Sequence, residues 1–137
     1  MKDTFVKNPV LCLPKFNKPF EVHCDASTQA LGGVLLQHDS AGVPHAVAYW
    51  SRTLKDAETR YAVIDLEALA VVEAVRAFDP YVYGRRFEVW TDHQPLVEVF
   101  SRRTKSTRLS WYAYELGGYD FLLKYKTGAG NHVPDLS

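Results

Sequence analysis

The sequence contains only two cysteines, Cys12 and Cys24, and no C-x-x-C spacing. A disulfide scaffold and a thiolate zinc site are thereby set aside, and the two are expected as buried free thiols. No apolar run approaches the roughly 20 residues that span a bilayer, and nothing near Met1 reads as a signal peptide. Charge of one sign is not in excess: sixteen Lys and Arg balance sixteen Asp and Glu. A grip on nucleic acid by bulk charge alone is therefore excluded. There is no glycine-rich phosphate motif and no serine in a G-x-S-x-G turn, so neither P-loop nor serine-hydrolase chemistry has a foothold. His23, His38, His45 and His132 show no metal-ligand spacing, and His93 is a lone histidine, more often a surface residue than a proton shuttle. Repeats and low-complexity tracts are missing as well. What remains is 137 residues, 47% hydrophobic, enough for one domain with its own core and too few for two.

Hydrophobic periodicity outlines that domain. Residues 1–19 carry Pro9, Pro14 and Pro19 and read as an extended lead-in. Phe20, Val22 and Cys24 alternate, which predicts a strand closed by Asp25. A second strand is expected over 30–37, with a bulge or a close backbone approach at Gly32-Gly33. Residues 38–42 read as a turn, and 45–50 as a third strand, which together predict an antiparallel meander. Tyr61, Ile64, Ala68, Val71, Val72, Val75 and Phe78 recur at helical spacing, and Asp79-Pro80 stops the helix. A strand over 87–90, a short helix over 95–100, a helix over 109–116 closed by Gly117-Gly118, and a last strand over 119–125 complete the pattern. The long helix acts as a crossover and should set the fourth strand parallel to an earlier one, in an α/β three-layer arrangement.

Four acids stand out against this background. Asp25 and Asp92 each end a predicted strand, where ligand sites of such sheets form. Glu67 lies mid-helix with Val63, Ala70 and Val71 one turn away and Ala74 two turns away, on or beside the apolar face, whereas Asp65 and Glu73 fall where solvent is expected. Asp135 follows Pro134 near the C-terminus. Singly, each has a plain reading: a turn or cap aspartate, a snorkelling boundary glutamate, a helix-start acid in a tail. Converging, they make a hard-oxygen site for Mg²⁺, the ion of two-metal phosphoryl chemistry. Arg102, Arg103, Lys105 and Arg108 cluster in one polar segment with two open readings, a solvated loop or a phosphate-contacting patch.

Taken in order, several segments resemble the ribonuclease H domain of gypsy-type LTR retrotransposon Pol polyproteins. They are Phe20-Glu21-Val22-His23-Cys24-Asp25-Ala26-Ser27, Ala46 through Leu54, Glu67-Ala68-Leu69-Ala70-Val71-Val72, Phe78 through Gly84, Thr91-Asp92-His93-Gln94-Pro95-Leu96, Tyr119-Asp120-Phe121 and Asn131 through Ser137. The resemblance covers nearly the whole chain. It implies a five-stranded mixed sheet flanked by helices, with residues 1–19 as the lead-in from a reverse transcriptase connection and 20–137 as the nuclease domain, its C-terminal helix cut short. It implies endonucleolytic hydrolysis of the RNA strand of RNA–DNA hybrids, with Asp25, Glu67, Asp92 and Asp135 as catalytic metal ligands. Two Mg²⁺ ions are the implied cofactors, with Mn²⁺ as a substitute. Ser27 and Gln94 are implied contacts to nucleic acid, joined by the run from Arg102 to Arg108. An upstream reverse transcriptase domain of the same polyprotein is the implied partner, with no membrane, and cytoplasmic virus-like particles are the implied location. The slot that holds histidine in many cellular and retroviral relatives holds Tyr125 here, as in gypsy-type domains generally, and Pro134 stands where alanine is usual.

Two other functions fit the same fold. A non-catalytic connection or scaffold domain typically loses the acids, whereas all four positions here hold Asp or Glu. A DNA-strand transferase would require a further glutamate well downstream of Asp92, and residues 126–130 hold none.

Overall fold

The computed structural model describes residues 11–100 and 107–126. Strands β1 (Glu21–Ala26), β2 (Ala30–His38) and β3 (Pro44–Thr53) form the expected antiparallel meander. Helix α1 (Val63–Ala77) then crosses over, and β4 (Arg86–Thr91) lies parallel to β1. A short turn, α2 (Asp79–Val82), separates the two. Helices α3 (Gln94–Phe100) and α4 (Thr107–Glu115) lead to β5 (Asp120–Tyr125), parallel to β4. The sheet order is β3-β2-β1-β4-β5, a five-stranded mixed sheet as expected. No described helix is long and apolar enough to cross a membrane.

Alternation decides which side chains meet α1. Phe20, Val22 and Cys24, with Leu31 and Leu35 of β2 and Phe87 and Val89 of β4, join Ala68, Val71, Val72 and Val75 of α1 in one buried cluster. Leu96 of α3 and Tyr112 of α4 complete it, so α1, α3 and α4 share this core. Burying side chains of this size contributes about 1.5–3 kcal/mol each. Val34, Leu36 and Ala46 form a second buried cluster, packed with Tyr49. Among the described residues no helix contributes to this second cluster.

Several local expectations change. Gly33 makes the close approach: a Cβ there would lie 2.9 Å from the Ala74 Cβ of α1. The pairing runs unbroken through Gly32 and Gly33, and the register shift falls at Leu35/Leu36 instead, where Val47 of β3 is the extra residue. Helix α1 starts at Val63, and Ala57–Arg60 form a separate 3-10 turn. Asp79-Pro80 does end α1, but it also opens α2, with proline in the first turn where its missing N–H costs nothing. Both cysteines are free, yet only Cys24 is buried and Cys12 is exposed. Glu73 does not point to open solvent, because Arg52 draws it into an ion pair at 3.1 Å.

Candidate active site

Asp25 sits one residue before the end of β1, and Glu67 lies one turn into α1, which packs across β1 and β2. Both are buried, at 6% and 7% exposure. Burial of two carboxylates is expensive by itself. Their joint field is visible on Cys24, the neighbour of Asp25 in β1. Burial pushes this thiol up, and the charges of Glu67 and then Asp25 push it further. The thiol is therefore held protonated, so this residue is a packing element and not a nucleophile.

Asp92 follows β4 directly and is half-buried. Strands β1 and β4 pair Val22 with Val89 and His23 with Trp90. The same register carried onward sets Asp25 beside Asp92. The parallel crossover thus brings the two strand-end aspartates to one edge of the sheet, and the α1 glutamate acts on the same thiol as the first of them. Among the described residues no three His, Cys, Asp or Glu side chains stand close enough to form a ligand cluster. Asp135 lies outside the described residues.

Ser27 has a local task. Its hydroxyl accepts the N–H groups of Gln29 and Ala30 at 3.1 and 3.0 Å, and its backbone N–H donates to Ala30 O at 2.9 Å. It closes the turn after Asp25 and so fixes the end of β1 that carries the carboxylate. Thr91, fully buried, accepts the His93 N–H on its hydroxyl and shapes the turn through Asp92. Gln94 opens α3, two residues after Asp92, and is exposed. Of the basic run, Arg102, Arg103 and Lys105 and the side chain of Arg108 lie outside the described residues.

The sequence reading missed a second charged cluster. Arg52 of β3 donates through both Nη atoms to Glu58, at 2.8 and 2.9 Å, and through Nε to Glu73 at 3.1 Å. The guanidinium fork holds the Glu58 carboxyl below its ordinary range, and the two acids in turn raise the arginine. These partners come from β3, the 3-10 turn and α1, a combination with no local periodicity to announce it.

Comparison with known proteins agrees with this fold. A family model described as the RNase H-like domain found in reverse transcriptase matches residues 15–119. The chain is 37% identical over 135 residues to the retrovirus-related Pol polyprotein from transposon 297 of Drosophila melanogaster, covering 98% of the chain and 12% of that polyprotein. It is 38% identical over 128 residues to the Pol polyprotein from transposon gypsy of the same organism, covering 92% and 12%. Among solved structures, the foamy viral protease-reverse transcriptase in complex with RNA/DNA hybrid shares the fold, with a TM-score of 0.63 at 19% identity, covering 86% of this chain and 16% of that one. LC11-RNase H1 in complex with RNA/DNA hybrid superposes with a TM-score of 0.64 at 12% identity, covering 85% and 92%. The chain belongs to the RNase H-like domains of reverse transcriptase Pol polyproteins.

Proposed function

We propose that the chain is an active ribonuclease H that hydrolyses the RNA strand of RNA–DNA hybrids during reverse transcription of a retroelement. The observation that carries this reading is the burial of Asp25 and Glu67 around a single thiol, with Asp92 brought alongside by strand register. A protein gains nothing in stability from gathering like charges, so the arrangement fits a cation-binding task. Oxygen donors of this kind suit Mg²⁺, with Mn²⁺ as a substitute. Asp25, Glu67, Asp92 and Asp135 would hold two such ions. When bound, the ions would lower the pKa of an attacking water and stabilise the leaving oxygen of a phosphodiester.

The chain's own residues do the positioning. Ser27 and Thr91 hold the two aspartate-bearing turns in shape. Gln94, exposed at the start of α3, stands where it can read a 2′-hydroxyl or a base edge of the hybrid. With a net charge of zero, discrimination must come from such contacts and from the shape of the hybrid. The run of Arg102, Arg103, Lys105 and Arg108 would supply phosphate contacts. The preceding reverse transcriptase domain would deliver the hybrid by raising its local concentration, inside cytoplasmic virus-like particles.

A non-catalytic scaffold of the same fold is the second reading, favoured by the lack of a three-ligand cluster among the described residues. One experiment separates them. The chain is incubated with labelled RNA–DNA hybrid, duplex DNA and duplex RNA, with Mg²⁺ and with EDTA. The nuclease reading expects cutting of RNA only in the hybrid and only with the metal. Intact hybrid at high enzyme concentration, or equal cutting of duplex DNA, would overturn it.

A further inference from the structure

The described part of the proline-punctuated lead-in is not a free linker. The Cys12 N–H donates to Ala46 O of β3 at 2.8 Å. Gln37, at 6% exposure, turns its whole amide to the backbone of this segment. Its Oε1 accepts the Lys15 N–H at 2.8 Å, and its Nε2 donates to Lys15 O at 2.8 Å and to Lys18 O at 3.1 Å. Arg85 donates from Nη1 to Phe16 O at 2.6 Å and lies over the Phe16 and Phe20 rings at 5.1 and 5.7 Å. Phe16 also stacks on Tyr81, with ring centroids 6.4 Å apart and planes 4° from parallel. The match to the family begins at Lys15, inside this strap.

Neither Gln37 nor Arg85 belongs to the acid site, and a domain that only needed a tether would not bury an amide to hold one. We propose that Gln37 and Arg85 are positioning residues which, through the strap, fix where the RNA is cut relative to a primer end held by the preceding polymerase domain; this rests on the nuclease reading above. Linker dimensions show why such pinning matters. A free ten-residue linker has a root-mean-square span of about 17 Å. At roughly 3.4 Å per base pair, that freedom would smear the cut over about five base pairs. A strap pinned at Lys15, Phe16 and Lys18 removes it.

The test uses the polyprotein fragment that carries the polymerase in front of this chain, on a hybrid with a recessed DNA primer end. Gln37→Leu with Arg85→Ala should widen the window of first cuts by about five base pairs. The same pair of changes should leave cutting of a primer-free hybrid within about twofold, since no acid is touched. Arg85→Lys, which retains a donor for Phe16 O, should restore most of the narrow window when Gln37 is intact. Trypsin cleavage after Lys15 should speed up by about tenfold in the double variant, as the strap opens locally. An unchanged cut window, or unchanged trypsin rates, would overturn the proposal. Failure of the unaltered fragment to cut any hybrid has a different signature and would sink the nuclease reading, and this proposal with it.

Discussion

Two glutamates of one helix meet opposite surroundings. Glu73 lies 3.1 Å from Arg52 and 3.9 Å from Arg76, and Arg52 also forks onto Glu58. Glu67, nearly two turns earlier, lies near a buried thiol that it and Asp25 both push up. Glu73 therefore ties α1 to β3 in a closed charge network that needs nothing from outside. Glu67 and Asp25 both act on one buried thiol, and on the proposed function the two are kept for a cation. Residue type and helix are the same; on the proposed function, the partner chemistry separates a structural carboxylate from a metal-holding one.

The sharpest way to break this comparison is to neutralise each side in turn. Glu67→Gln should lower kcat on RNA–DNA hybrid by on the order of 10²–10³-fold or more, with circular dichroism unchanged. Normal turnover would return Glu67 to the class of Glu73. Arg52→Ala should do the reverse. It leaves Glu58 and Glu73 without their shared guanidinium and should destabilise the fold by about 3 kcal/mol in a denaturant titration. The folded fraction should still cut. A near-neutral effect on stability would show that the Arg52 network is ornamental.

How much of this is legible in the sequence follows from range. Alternation marks β1 and β4, and the crossover rule sets them parallel, so Asp25 and Asp92 can be placed at one sheet edge from the sequence alone. Helical spacing puts Glu67 on the apolar face. Glu73 is misjudged because its solvent-side position on the helix says nothing about Arg52, which lies 21 residues away in sequence. The tie from Arg85 to Phe16 spans 69 residues and is equally silent. The glycine pair shows that some backbone approach is needed, but not that Gly33 faces Ala74, nor that the bulge sits at Val47.

Smaller effects sharpen the same contrast. Gly33→Ala should cost about 1–3 kcal/mol by wedging α1 off the sheet, and Ala74→Gly in the same chain should recover part of it. Acid should reach the Arg52 network in a predictable order. The Glu58 pKa is lower in the folded chain than its ordinary 4.5. Its contribution is thus complete above the unfolded value and fades as pH falls through the folded one. Arg52→Ala should flatten this part of the stability–pH curve, read by thermal melts below neutrality. The smallest effect concerns the basic run. Replacing Arg102, Arg103, Lys105 and Arg108 with alanine should flatten the log–log salt dependence of hybrid binding by about 0.7–0.9 for every phosphate these side chains neutralise. An unchanged slope would make this run a solvated loop.

The claim that Asp25 and Glu67 are gathered for a cation is tested most directly by melting the unaltered chain and Glu67→Gln with and without Mg²⁺. Without the ion, Glu67→Gln should melt at the same temperature or higher, because one of the clustered charges is gone. Adding Mg²⁺ should raise the melting temperature of the unaltered chain and leave the variant where it was. A variant that melts lower without Mg²⁺ and responds to the ion as the unaltered chain does would contradict the account.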